Sequence, residues 1–418
     1  PAGDGERNAV PMSPGWLHAF ETAIREARKY GMRIGFHNCP GWTSSGGPWI
    51  TPELSMKVVV HTATQLTGPQ RVSMTLPHET QDHGFYRDIA VVAFPTPNKT
   101  ITIPDLARRV FRVRGDEAGP STFTALEPNA FPPQACISLD AVRDVSDGLK
   151  PDGSFDWEMP AGAWTVLRVG FASNGRQNRP PSPRGAGLEC DKLSAKAMDV
   201  HFDAYVGKVL KALKGIASFD NVLLDSYEVQ GQNWTDGFAE VFAARKGYSI
   251  VPWLPAIAGY PIGSAEETER FFADFRRVIA DLFNANYAGR LAARCRRKGV
   301  ALYLEPYGDG LFDNPQLGEY ADVPMGEFWA EDSRDYTTGL WRMASAAHVY
   351  GRRYVASEAF TSGKTEGGWT RTPYRLKARC DRAFANGVNR IVQHCFIHNP
   401  WKGATRPGLT IGPWGTHM

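Results

Sequence analysis

The feature that most constrains this chain is a recurring unit: a short apolar run ends in an acid or a histidine, and an amphipathic helix follows. The runs are RIGFHNC (33–39), NVLLDSYE (221–228), ALYLEPYG (301–308), DVPMGEFW (322–329), RYVASEAF (353–360) and NRIVQHCF (389–396). Helical spacing marks 13–30, where Leu17, Phe20, Ile24 and Ala27 share a face ahead of Gly31, and also 195–214, 266–298, 341–350 and 374–386. Strand and helix in alternation predict an α/β fold of parallel strands, a (β/α)8 TIM-type barrel. Eight strands close such a barrel and six are visible, so one more is expected before residue 1 and one after residue 418, which leaves the barrel incomplete at both ends. Between about 61 and 175 the rhythm gives way to alternating apolar and polar residues (VSMTLP, DIAVVAFPTP, AWTVLRVGF) separated by Pro, Gly and Asp turns. The expected organisation is barrel (1–60), an inserted and separate β-rich module (61–175), and the remainder of the barrel (176–418).

Composition excludes several function classes. A hydrophobic content of 42% with 22% charged residues is that of a folded globular chain, and no apolar run approaches the roughly 20 residues of a membrane helix. A net charge of +3 without Lys/Arg blocks is too weak a field for nucleic-acid binding. The six cysteines form no CxxC pair, so neither a zinc site nor a disulfide framework is indicated. No signal peptide is visible, and the chain reads as a piece of a longer protein. Twelve tryptophans, many beside Gly, Pro, Asn or acids, suggest sugar-stacking surfaces, although a single Trp as readily fills a core.

In a βα-barrel the C-terminal strand ends surround one pocket. Here they offer His37 and Asn38, Asp225 and Glu228, Glu305, Glu327 and Trp329, Glu358, and His394. An acid after an apolar run is costly unless paired, bonded or used. One such acid is readily an ion-pair partner; a succession of them points to chemistry. Glycosidic cleavage needs a proton donor and a second carboxylate, which either activates water or attacks the sugar. Glu228 and Glu358 are the expected pair, with Glu305 and Glu327 in reserve. Asn233 and Trp234, close to Glu228, and Trp42, Trp369 and Trp401 in loops are expected to bond hydroxyls or stack on a ring. His37 and His394 are read as hydroxyl-binding groups or satisfied core histidines, since HNC is not the HxH of a metallohydrolase and His394 and His398 have helical spacing. Cys39 has no identifiable catalytic partner, and no phosphate loop or nucleophile elbow appears in a suitable context.

The segments HNCPGWTSSGGPWITPE, GLECDKLS, DSYEVQGQNW, DVPMGEFW, ASAAHVYG, SEAFT, GVNRIVQHCFIHNPW and GPWGTH, in this order from about residue 33 to the end, resemble glycoside hydrolase family 106, the α-L-rhamnosidases. The resemblance implies a calcium-dependent, inverting enzyme on a (β/α)8 barrel, with its catalytic glutamates at Glu228 and Glu358 and a further active-site acid at Glu327. It also implies a rhamnose-containing oligosaccharide, polysaccharide or glycoside as substrate, a periplasmic or extracellular location, and a longer whole protein with additional β domains. The calcium ligands are not assigned by it. Three rivals stand beside this reading. Another exo-glycosidase is one; if it acted on a uronic acid it would want Arg or Lys at the strand ends. The others are a non-catalytic carbohydrate-binding barrel and a metal-dependent hydrolase with a compact His/Asp cluster.

Overall fold

A computed structural model describes residues 10, 12–43, 45–79, 83–112, 124–181, 183–213, 219–308, 310–330, 337–363, 367 and 370–394. Trp369 and Trp401 lie outside these residues. Six strands form a parallel sheet: β1 (Ile34–His37), β6 (Phe219–Leu224), β7 (Ala301–Leu304), β8 (Val323–Trp329), β9 (Ala356–Thr361) and β10 (Arg390–Gln393), each bonded to the next in that order. Every pairing is parallel, with helices in the connections, as the alternation predicts. Sequential neighbours throughout are the order of a barrel wall. β1 and β10 stand at the two edges.

Local chemistry explains the element boundaries. In the helix Pro14–Lys29, the Ser13 hydroxyl accepts the Trp16 N–H, Pro14 opens the first turn, and Arg28 and Lys29 lie in the last, where the helix dipole favours cations. In Ala265–Phe283, Ser264 caps the Glu267 N–H, and Phe271, Phe275, Val278 and Leu282 supply the buried stripe. Two expected helices are interrupted. The 195–214 segment breaks at Tyr205, which leaves the helical region at φ −121° and ψ −75°, and its ring stacks on Trp49 at 5.6 Å between centroids. The 266–298 segment passes through a π-helical turn, Asn284–Gly289. Such turns redirect side chains, and here the Tyr287 hydroxyl meets that of Ser45 at 2.9 Å.

The remaining strands, β2 (Lys57–Thr75), β3 (Tyr86–Pro95), β4 (Arg143–Asp144) and β5 (Ser154–Ser173), form an antiparallel sheet in the order β2-β5-β3-β4. The insertion region thus holds an antiparallel sheet of its own, one face of which packs into the main core. Val59, Val92, Phe94, Leu167, Val169 and Phe171 belong to the same core as Val222, Phe238 and Phe275. The alternate positions Val91, Ala93 and Val166 join Val72, Phe155 and Met159 in a small core of their own. Period-two alternation gives the sheet two apolar faces, and one is buried against the helices. Among the described residues no helix is long and apolar enough to cross a membrane.

Candidate active site

The strand ends bring a cluster of carboxyl groups together. Oxygens of Asp225, Glu305 and Glu358 all lie within 4.8 Å of one another. Asp225 and Glu305 follow directly on β6 and β7, whereas Glu358 lies inside β9. Glu327 on β8 is its register partner there, and the indole N–H of Trp329 donates to Glu327. Gly308, at φ +114°, lets the loops after β6 and β7 touch: a Cβ there would collide with the Tyr227 carbonyl.

Ser226 organises the entrance to the cluster. Its backbone N–H donates to Asp225 Oδ1 at 2.8 Å and to Glu305 Oε2 at 3.2 Å, and its hydroxyl donates to Glu228 Oε1 at 2.8 Å. The other oxygen of Glu228 accepts the Trp42 indole N–H at 3.4 Å. Glu228 itself is exposed, in the loop beyond β6 instead of at the strand end. Glu305 is its opposite, buried and bonded by the Tyr307 hydroxyl at 2.7 Å. Its Oε1 is buried, and among the described residues no donor reaches it, although Asp225 stands beside it and one shared proton would bridge the two.

The electrostatics follow from this crowding. Burial first, then the charges of Asp225 and Glu358, push the Glu305 carboxyl well above the ordinary range. Glu358 is pushed up to about 8, by burial and then by Asp225 and Glu327, against a bond from the Thr361 hydroxyl. The Tyr307 phenol is held far above its usual value by burial and by Glu305, so it remains a donor. The two histidines flank the cluster, His37 Nδ1 at 3.4 Å from Asp225 and His394 Nδ1 at 3.5 Å from Glu358. Burial lowers the His394 pKa, so at neutral pH its ring is uncharged and shares a 2.8 Å hydrogen bond with Thr361.

Of the residues expected to meet substrate, the structure gathers His37, Trp42, Asp225, Glu228, Glu305, Glu327, Trp329, Glu358 and His394 around this cluster. Three others it places in the interior. Asn38 is 1% exposed and bonds Ser45 and His201. Asn233 is fully buried, accepting the Val59 N–H and donating to the Val110 carbonyl, both at 2.7 Å, so it ties the antiparallel sheet to the β6 loop. Trp234 packs between Phe171 and Phe238 in the main core. These three have no surface to offer a sugar. Ser226, Tyr307 and Thr361 were not singled out from the sequence, yet each lies within a few positions of a strand-end acid, the one signal that would have found them.

An acid cluster at the C-terminal ends of parallel strands, with the pKa values of Glu305 and Glu358 raised, has the groups that glycosidic cleavage needs. The chain belongs to glycoside hydrolase family 106: the family model described as alpha-L-rhamnosidase matches residues 5–418. A protein of Formosa agariphila named "Putative beta-glucuronidase" is 38% identical over 409 residues, covering 97% of this chain and 34% of that protein. In fold, a rhamnosidase from Novosphingobium sp. PP1Y superposes with a TM-score of 0.84 at 24% identity, over 97% of this chain and 52% of that one. The chain thus spans about half of the solved relative and a third of the curated one.

Proposed function

We propose that this chain carries the catalytic site for removing terminal α-L-rhamnose from a glycan or glycoside with inversion of configuration. The observation that supports this best is the contrast between two carboxyl groups joined by one short loop and one sheet. Glu358 is enclosed among carboxyl groups, and its pKa of about 8 keeps it protonated at neutral pH. Glu228 is exposed, and each of its oxygens accepts a donor, from Ser226 and from Trp42. In the proposed step Glu358 gives its proton to the glycosidic oxygen as the bond to C1 breaks. Water attacks C1 from the opposite side, and Glu228 takes the water's proton. Crowding by Asp225 and Glu327 supplies the reason that Glu358 holds a proton to give.

The cluster also fits a calcium ion. Its donors are hard carboxyl oxygens, and among the described residues no hydrogen-bond donor reaches the buried Glu305 Oε1. Asp225 and Glu305 would hold the ion, which when bound would supply positive charge to offset the clustered carboxylates and orient sugar hydroxyls. An ion bonded to Glu358 would displace its proton, so the acid role requires that Asp225 and Glu305 carry it. The architecture in this reading is an eight-stranded barrel, with two further strands closing the gap between β1 and β10.

The name of the Formosa relative raises a uronic acid as the cleaved sugar. A uronate would need a cation, but the groups acting most strongly on Glu305 and Glu358 are other carboxyl groups, Tyr307 and Thr361. That setting favours a neutral sugar. The deciding experiment is proton NMR of aryl α-L-rhamnoside hydrolysis. β-L-Rhamnose as the first product is the expected result; α-first release would overturn inversion, and cleavage of an aryl β-glucuronide alone would overturn the choice of sugar.

A further inference from the structure

Two opposite charges are shielded from solvent one helical turn apart in sequence. Glu189 and Lys192 are each 0% exposed, and Lys192 Nζ stands 2.5 Å from Glu189 Oε2. Taking two charges out of water is costly, and apolar side chains of similar size often serve a fold as well. What such a pair supplies is direction, because its hydrogen bonds hold particular groups in one geometry. We propose that Glu189 and Lys192 are positioning residues, which fix the 40–45 loop so that the Trp42 indole holds the Glu228 carboxylate in place for its role as base. The role of Glu228 rests on the glycosidase reading; the fixing of Trp42 does not.

The bonds of the pair converge on that loop. Glu189 Oε1 accepts the Thr43 hydroxyl at 3.0 Å, and Oε2 accepts the Ser45 N–H at 2.9 Å. Lys192 donates to Glu189, to the Cys190 carbonyl at 3.0 Å and to the Ser45 carbonyl at 3.5 Å, which occupies its three N–H groups. The Thr43 hydroxyl passes the constraint on. It accepts the Arg179 N–H at 2.7 Å, while the Arg179 carbonyl accepts the N–H groups of Trp42 at 3.0 Å and Thr43 at 3.2 Å. Before Trp42, Asn178 Nδ2 donates to the Pro40 carbonyl at 2.7 Å, and Gly41, at φ +109°, lies so close that a Cβ there would meet the Arg179 carbonyl.

Pro40 and Thr43 are buried, yet Trp42 between them is 40% exposed. Its backbone is held from beneath, and its ring stands out beside the carboxyl cluster, where the indole N–H donates to Glu228 Oε2 at 3.4 Å. Glu228 is exposed, and its other oxygen accepts the Ser226 hydroxyl. Trp42 and Ser226 together therefore set the plane of the carboxylate. A base must stand within hydrogen-bond reach of the proton it takes, and a misplacement of about 1 Å can cost about 100-fold in rate. The chain of bonds that starts at the buried pair ends on that base.

A double-mutant cycle is the test. Trp42→Phe keeps a ring and removes the indole N–H, so it should lower kcat by about 10- to 100-fold on activated and poor-leaving-group rhamnosides alike, with KM little changed. Glu189→Leu/Lys192→Met removes both charges together and should do the same; joined to Trp42→Phe it should add less than about twofold. A pair that only supported the fold would lower kcat equally with and without the indole, and such additivity would overturn the proposal. Thr43→Val cuts the same route without touching a charge and decides alone if the pair variant does not fold. Its own cycle with Trp42→Phe should be equally non-additive, Thr43→Ser should restore the rate, and an unchanged kcat in Thr43→Val would overturn the proposal. A second readout needs no turnover. In chain labelled with fluorotryptophan, the fluorine resonance that disappears in Trp42→Phe should shift and broaden in Thr43→Val and return in Thr43→Ser, while that of Trp253, stacked on Phe271 in the core, stays in place. A Trp42 resonance that does not move would overturn the positioning, whether or not the chain cleaves rhamnosides. If it moves but the native chain cleaves no rhamnoside, the glycosidase reading falls and the fixing of Trp42 stands.

Discussion

Glu327 on β8 and Glu358 on β9 are direct register partners in the parallel sheet. Partners in register project to the same face of a sheet whose strands are about 4.8 Å apart, so the two carboxyl groups repel and favour a proton on Glu358. This repulsion adds to burial and to the charge of Asp225, the larger causes, in giving Glu358 the setting of a proton donor.

The two roles separate by leaving group. Glu358→Gln should slow substrates with poor leaving groups by about 10²–10⁴-fold while sparing activated aryl rhamnosides, whereas Glu228→Gln should slow both by a similar factor. Steady-state kinetics on the two substrate types decides. The reverse pattern would exchange the roles, and near-normal rates in both variants would move the chemistry to Glu327 or Glu305.

The pH profile should show the same group. In the proposed step Glu358 works in its protonated form, which without an ion beside it persists up to a pH of about 8. For poor-leaving-group substrates kcat/KM should therefore fall as pH rises through the Glu358 pKa, which lies below about 8 once an ion on Asp225 and Glu305 offsets their charge. In Glu358→Gln that limb should be gone from the residual activity. A variant that keeps it would assign the limb to another group.

Chelation should abolish activity, and added calcium should restore it. Asp225→Asn should raise the calcium concentration needed for half-maximal rate. Full turnover in excess chelator, with no bound metal on analysis, would remove the ion from the account.

Glu305→Gln should stabilise the chain against alkali when measured in chelator. A carboxyl group whose folded pKa is raised above its unfolded value binds its proton more tightly in the folded state, so stability falls as pH climbs from the unfolded pKa towards the folded one. Gln does not titrate, and its amide nitrogen in place of Oε1 would donate to Asp225. Melting temperatures from pH 5 to 8 should fall less steeply in the variant; parallel curves would refute the role of burial.

Asn233→Ala should act on stability and not on sugar binding. It removes two buried hydrogen bonds and leaves the Val59 N–H and Val110 carbonyl unpaired, at about 1–3 kcal/mol for each group left unsatisfied. Denaturant unfolding reads the loss. A stable variant with a raised KM would return Asn233 to the substrate site.

By itself the sequence determined the rhythm of elements and the gathering of acids. Apolar runs of strand length, each followed by a helical stripe, define a parallel sheet through local periodicity alone, and acids at or near the ends of those runs share one rim. Glu228, Glu305, Glu327 and Glu358 were legible for that reason. Only the tertiary structure decided what surrounds them. Asn233 and Trp234 belong to the segment that carries Glu228, yet the antiparallel sheet packs down on them and takes their side chains into the core. That burial depends on partners more than a hundred residues away in the chain. The same holds for the pairing of Glu327 with Glu358, since a parallel register is set by how whole elements dock and a shift of one residue would turn one of the two carboxyl groups to the other face. Periodicity is a property of neighbours along the chain; burial, register and the pKa values that follow from them are properties of neighbours in space.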